Sequence, residues 1–205
     1  MTENQTAQRK KNGPLSESNW VEAAMEIMLQ ENIKGIKIST LCTKLGVTKG
    51  SFYWHFARRS DLLAAMLKEW RKRTTMDVIR AVTNSGEIGF QRIRKILKGT
   101  RHPRAYHYVA IEMNIRDWAR RNDMPRDAIE EVDNIRIKFY EQTFLEEGFP
   151  EDEARRRAYM TYCFQMGDAV LNRTLKNYVS DEDFLNMVID CVKPDDTPSK
   201  KRPPS

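Results

Sequence analysis

The chain has 205 residues, of which 40% are hydrophobic and 31% are charged, a composition typical of a globular protein. No stretch approaches the apolar length that crosses a bilayer, and residues 1–11 lack the apolar run of a secretory signal peptide. These features predict a cytoplasmic protein without a membrane partner. Three widely spaced cysteines, Cys42, Cys163 and Cys191, argue against both a disulfide framework and a zinc site.

The excess of positive over negative charge lies in the first third of the chain. Residues 1–75 hold 13 Lys and Arg against 7 Asp and Glu, whereas residues 76–205 hold 22 of each. An electrostatic partner such as a phosphate would therefore act on the N-terminal part. The alternative is that an excess of this modest size only aids solubility.

The apolar residues repeat at helical spacing along almost the whole chain, and no convincing period-2 strand is bounded by turn residues. We therefore predict an all-α protein. In chain order the helices are expected at about 18–31, 39–45, 48–56, 60–81, 86–98, 103–121, 125–147, 150–175 and 181–192.

Two short amphipathic segments meet at Gly46, within residues 41–56. Glycine can take the left-handed conformation that a tight turn between helices requires, so the segment has the pattern of a helix-turn-helix. The inward face is predicted to consist of Leu45, Val47, Phe52, Trp54 and Phe56. The outward face is predicted to consist of Thr48, Lys49, Gly50, Ser51, Tyr53 and His55.

The outward face carries groups that can contact nucleic acid. Thr48 is placed to cap the second helix, where its hydroxyl can face a phosphate, and Lys49 adds positive charge. Gly50 allows a close approach of the backbone to a groove, and the Tyr53 hydroxyl is expected to bond to a phosphate. For His55 a structural role is the alternative, and for Tyr53 it is edge packing.

The string Leu-Gly-Val-Thr-Lys-Gly-Ser-Phe-Tyr-Trp-His-Phe over residues 45–56, with the helix before it and Arg-Ser-Asp-Leu-Leu after it, resembles the DNA-binding domain of the TetR (tetracycline-repressor-like) family. The resemblance implies that Trp54 packs inside and that Arg59, where the family usually carries Lys, contacts a phosphate. The DNA-binding residues are then Thr48, Lys49, Gly50, Ser51, Tyr53, His55 and Arg59.

A weaker likeness to one TetR subgroup extends over residues 116–121 and 131–133, and it implies that the rest of the chain is the effector and dimer domain. We therefore expect an N-terminal three-helix helix-turn-helix domain and a C-terminal helical ligand-binding and dimerisation domain. The predicted ranges are a flexible basic arm at 1–17, the DNA-binding domain at 18–70, the effector and dimer domain at 71–192, and a flexible tail at 193–205.

Aromatic and methionine side chains of the C-terminal part either line an effector pocket or form an ordinary core. The effector-binding candidates are Met113, Trp118, Tyr140, Phe144, Tyr162 and Met166. The resemblance places the dimer interface on the last two helices. There the apolar stripes are Ala158, Tyr162, Gln165 and Ala169 on one helix, and Phe184, Val188 and Cys191 on the other.

The resemblance implies a homodimeric repressor on a pseudopalindromic operator in double-stranded DNA, released by a small-molecule effector. A DNA-bound scaffold that recruits another protein, without an effector, is the alternative. We expect no enzyme activity, cofactor or metal, because the sequence contains no Gly-rich phosphate loop, metal-ligand spacing or nucleophile motif.

Overall fold

A computed structural model describes residues 15–175 and 178–193. Throughout these residues the regular structure is helical, which confirms the all-α prediction. Among the described residues, every helix is too short or too polar to span a bilayer. Most of the predicted arm at 1–17 and of the predicted tail at 193–205 lies outside the described residues.

The helices follow the predicted order closely. They are α1 (Glu17–Gly35), α2 (Ile38–Leu45), α3 (Lys49–His55), α4 (Arg59–Arg71), α5 (Asp77–Thr83), α6 (Gly89–Arg101), α7 (Tyr106–Ala119), α8 (Asp123–Glu146), α9 (Glu151–Thr174) and α10 (Asp181–Val192). The helix predicted at 60–81 is interrupted by a π-helical turn, Lys72–Met76, between α4 and α5. In that turn the Thr74 hydroxyl donates to the carbonyl of Trp70 at 2.8 Å, a bond known to distort helices.

The chain forms two compact units. The first comprises Met1–Asp77 and His107–Asp133, and the second comprises Val78–Tyr106 and Asn134–Ser205. These units differ from the predicted division near residue 70, because packing and not chain order defines them: Ile111 and Ile115 of α7 are buried in the same core as α1 to α4. The largest side chains buried in the first core are Trp20, Met28, Ile36, Leu41, Phe52, Leu62, Met66 and Trp70.

The second unit is built from α5, α6, the part of α8 after Asp133, α9 and α10. Its core contains Ile93, Leu97, Tyr140, Phe144, Ala158 and Val188. A charged residue is buried in this unit: the Arg101 side chain is only 4% exposed and donates to both carboxylate oxygens of Asp168, at 2.9 and 3.0 Å. Arg101 also donates to Asp181 at 2.7 Å, so it links the end of α6 to α9 and to the start of α10.

Most residues of the two stripes predicted to form a dimer interface face the core of the second unit. Ala158, Tyr162, Gln165, Phe184 and Val188 are all buried there, so their assignment to an intersubunit surface is wrong. Ala169 is half-buried and Cys191 is exposed, so for these two residues the assignment stays a prediction. The opposite side of α9 is the exposed one. Its apolar or small exposed residues are Tyr159, Cys163, Gly167, Val170 and Leu171, which we call the α9 outer stripe. Periodicity finds both faces of a helix but does not say which of them the unit itself covers.

Candidate nucleic-acid interface

The turn between α2 and α3 has the geometry predicted for a helix-turn-helix. Gly46 takes the left-handed conformation, with φ 68° and ψ 34°, at the end of α2. The amide of Val47 donates to the carbonyl of Cys42 at 3.0 Å, which closes the helix end. Thr48 is extended, with φ −84° and ψ 163°, and stands at the N-cap of α3 without a side-chain capping bond.

The inward face of α3 anchors it to the first core. Phe52 is fully buried and Phe56 is 5% exposed, and their ring centroids lie 5.6 Å apart. The ring of Phe52 also meets that of Trp20 edge to face, with a centroid distance of 5.4 Å. Leu45 and Val47 are partly buried against the same core, as predicted. These contacts fix which side of α3 faces outward.

The outward face of α3 presents polar and aromatic groups. Thr48, Lys49, Gly50 and Tyr53 are exposed, and Ser51 is half-buried. Lys49 and Tyr53 are one helical turn apart and share a face of the helix. Among the described residues, Lys49 has no acidic partner, whereas nearby Lys44 is paired with Glu26 at 2.9 Å.

Trp54 was predicted to pack inside, and that prediction is wrong. Its side chain is 88% exposed, the most exposed of the large hydrophobic residues that are described. The reason is helical geometry: Trp54 follows Phe52 by two residues, about 200° around the helix. Since Phe52 and Phe56 fill the core, Trp54 must point away from it.

His55 lies at the edge of the core and not fully on the outward face. It is half-buried, and its ring centroid is 6.4 Å from that of Trp20 and 6.5 Å from that of Phe56. This arrangement agrees with the structural alternative considered for this residue. Any contact that it makes with a partner would involve only the exposed part of the ring.

Arg59, the first residue of α4, is engaged by the protein itself. Its Nε–H donates to the carbonyl oxygen of Ile36, and its Nη2 donates to that of Ile33 at 2.9 Å. Burial lowers the pKa of this guanidinium. Sequence alone could not reveal these acceptors, because backbone carbonyl groups leave no signal in the residue types.

The effector candidates divide between the two units. Met113 and Trp118 lie on α7 in the first unit, where Trp118 packs against the core. The other four belong to the second core: Tyr140, Phe144 and Tyr162 are buried, and Met166 is partly buried against them. The Tyr140 hydroxyl donates to the side-chain oxygen of Gln165 at 2.9 Å, and burial raises the pKa of Tyr140.

Comparison with known proteins agrees with this description. Residues 21–66 match the sequence profile described as bacterial regulatory proteins, tetR family. A segment of 47 residues is 32% identical to the HTH-type transcriptional regulator SrpR of Pseudomonas putida. That segment covers 23% of this chain and 22% of SrpR, so the chain matches about a fifth of the length of this relative.

Solved structures resemble the chain over most of its length. A transcriptional regulator of Pseudomonas aeruginosa PAO1 superposes with a TM-score of 0.75 at 13% identity, over 92% of this chain and 94% of that one. A transcriptional regulator of Saccharomonospora viridis, solved in complex with choline, gives a TM-score of 0.67 at 16% identity, over 86% and 94% of the two chains. The fold is therefore that of all-helical transcriptional regulators with an N-terminal helix-turn-helix.

The helix-turn-helix segment, residues 21–66, is therefore similar to the tetR family of bacterial regulatory proteins. The resemblance inferred from residues 45–56 is thereby confirmed. The relative and the neighbours carry the names of regulators and not of enzymes, in agreement with the predicted class.

Proposed function

We propose that the chain is a transcriptional regulator that binds double-stranded DNA, with α3 as its recognition helix. The observation that carries this proposal is the outward face of α3, where Lys49 and Tyr53 are exposed beside a turn of helix-turn-helix geometry. Lys49 supplies a positive charge for a phosphate, and Tyr53 supplies a hydroxyl and a ring edge. Thr48, Gly50 and Ser51 complete the proposed contact surface, and the small residues allow the helix to approach the groove.

The test compares the wild-type chain with Lys49→Ala and Tyr53→Ala on DNA fragments selected by the wild type. Both variants should bind these fragments more weakly while keeping the helical circular dichroism spectrum. Lys49→Ala should also lower the slope of log affinity against log salt by about 1, because one phosphate contact is lost. Lys68→Ala is the matched control, since Lys68 is an exposed lysine of α4 in the same unit. Unchanged affinity in both α3 variants would overturn the assignment.

We infer that the regulator acts as a homodimer through the α9 outer stripe. Tyr159 is 62% exposed and Val170 is 45% exposed, an apolar surface that a second copy would cover. On the neighbouring helix α10, Met187 is 46% exposed and Cys191 is also exposed. Two-fold pairing of these helices would present two recognition helices to one pseudopalindromic operator.

Sedimentation equilibrium tests the dimer. Val170→Glu should convert the chain to a monomer, because a carboxylate in this stripe would be buried without a partner in the dimer. Gln91→Glu adds the same charge at an exposed position of α6 and should leave the dimer intact. If both variants sediment as the wild type does, the interface lies elsewhere.

We propose further that a small-molecule effector binds in the second unit and releases a repressor from its operator. Tyr140, Phe144, Tyr162 and Met166 provide apolar surface. The hydrogen-bonded Tyr140 and Gln165 provide the few polar groups that orient a ligand in such a site. The choline bound by the Saccharomonospora regulator supports small-molecule binding by this fold.

A ligand screen read by melting temperature and by release of operator DNA tests the effector. A true effector should raise the melting temperature and weaken operator binding, since release requires a preference for the conformation that does not bind DNA. Gln165→Leu should abolish both effects without preventing operator binding. Effects that persist in Gln165→Leu and in Phe144→Ala would place the effector outside these residues.

A further inference from the structure

We propose that Arg59 is a positioning residue for DNA binding, which clamps the end of α1 to the start of α4 and so holds the helix-turn-helix between them in place. This role differs from the phosphate contact that the family resemblance implies for the same residue. The inference rests on the proposed DNA-binding function, and its test below includes a measurement that needs no DNA.

The end of α1 is an irregular helix terminus. Asn32 leaves the helical conformation, with φ 56° and ψ −165°, and its side-chain oxygen accepts a hydrogen bond from the Lys34 amide at 2.9 Å. The chain then turns sharply, since the amide of Lys37 donates to the carbonyl of Gly35 at 2.8 Å. The carbonyl groups of this terminus carry the negative end of the helix dipole and favour a cation.

The guanidinium of Arg59 donates hydrogen bonds to carbonyl groups of that terminus. The Nε–H donates to the carbonyl of Ile36, and Nη2 donates to the carbonyl of Ile33. Two nitrogens of the same planar guanidinium therefore bind two carbonyl groups at the end of α1. Hydrogen bonds from a charged donor are stronger than neutral ones. A lysine would keep the charge, but its single ammonium cannot reproduce this planar two-point geometry.

These two hydrogen bonds join parts of the chain that lie before and after the helix-turn-helix. Ile36 and Arg59 are 23 residues apart, and the segment between them contains α2, the turn at Gly46 and α3. The clamp therefore ties together both ends of the segment that presents the recognition helix. Without it, α2 and α3 would be held by their core contacts and by the ion pair of Lys44 with Glu26. The free-energy cost of ordering the two helices on DNA would then lower the affinity.

Salt dependence of operator affinity separates the two roles of Arg59. We compare Arg59→Lys and Arg59→Gln with Lys49→Gln, at a temperature where circular dichroism shows all chains folded. Positioning predicts that both Arg59 variants lose affinity about tenfold, the effect of one charged hydrogen bond, with an unchanged salt slope. Lys49→Gln should instead lower the slope by about 1. A phosphate contact predicts that Arg59→Lys keeps its affinity and that Arg59→Gln lowers the slope.

Hydrogen exchange of the full chain without DNA provides the independent measurement. In both Arg59 variants the amides of α2 and α3 should exchange faster than in the wild type, whereas those of α8 should be unchanged. Unchanged exchange in α2 and α3 would overturn the clamp, as would unchanged operator affinity in variants that merely melt at a lower temperature. A wild-type chain that selects no DNA sequence would overturn the proposed function. The exchange data would still show whether Arg59 holds α2 and α3 in place.

Discussion

The indole of Trp54 lies almost wholly in water, next to the residues proposed to contact DNA. At 88% exposure it presents a large apolar surface, whereas Trp20 and Trp70 are fully buried in the first unit. An exposed aromatic ring beside a basic helix face is well suited to cover part of a nucleic-acid surface. Its environment should therefore change when DNA binds.

Tryptophan emission tests this expectation. Titration of operator DNA should change the emission of the wild-type chain, and Trp54→Phe should remove most of that change. Trp118→Phe is the control, because Trp118 is partly buried against the core of the same unit. An equal emission change in the wild type and in Trp54→Phe would mean that the ring stays in water.

Tyr140 makes the stability of the second unit depend on alkaline pH. Burial raises the pKa of its hydroxyl, which donates to Gln165 at 2.9 Å. Its neutral form is therefore favoured in the folded state, and this contribution is complete below the unfolded value of about 10 and is lost as the pH rises above it. Chemical unfolding from pH 8 to 11 should show a smaller alkaline loss of stability in Tyr140→Phe than in the wild type. Tyr178→Phe, at a tyrosine that is 81% exposed, should behave as the wild type.

Among the structural elements, the turn between α2 and α3 depends most on a single backbone conformation. Gly46 has φ 68°, and an added Cβ would meet no atom within 4 Å. Gly46→Ala should therefore destabilise the first unit by about 1 kcal/mol through the backbone alone. Asparagine tolerates this conformation better than alanine does, so Gly46→Asn should lower the free energy of unfolding less than Gly46→Ala, as measured by chemical denaturation. Equal costs would show that the turn does not retain its left-handed residue.

The Arg101 cluster holds α6, α9 and α10 together in the second unit. Arg101 and Asp168 are 4% and 10% exposed, and the Arg101 guanidinium also lies 4.6 Å from the ring centroid of Phe184. Hydrogen bonding to Asp168 raises the pKa of Arg101. Arg101→Met should cost about 3 kcal/mol, because it leaves the Asp168 carboxylate buried without its partner. The double variant Arg101→Met with Asp168→Asn should lose less stability than Arg101→Met alone, as measured by thermal unfolding. An equal loss of stability in the two variants would argue against a dominant charge effect.

The sequence allowed the helices and the inward residues of the helix-turn-helix to be predicted, because both depend on local spacing. Leu45, Val47, Phe52 and Phe56 were found this way, and the same spacing, applied strictly, would have placed Trp54 outside. The partners of Arg59 and Arg101 could not be predicted. They are backbone carbonyl groups in one case, and carboxylates 67 and 80 residues away in the other.

At the scale of the whole molecule, we propose that two copies of the chain act together on one DNA site. One recognition helix of seven residues offers a small contact surface. Pairing through the α9 outer stripe would double that surface and match a two-fold operator, with the recognition helices about one DNA turn apart, roughly 34–36 Å.

Hydroxyl-radical footprinting of the wild-type chain on the fragments that it selects from random DNA tests this claim most directly. We predict two protected patches, about 10 base pairs apart and related by a two-fold axis, that both disappear with Tyr53→Ala. A single patch, or equal protection of every sequence, would contradict the account.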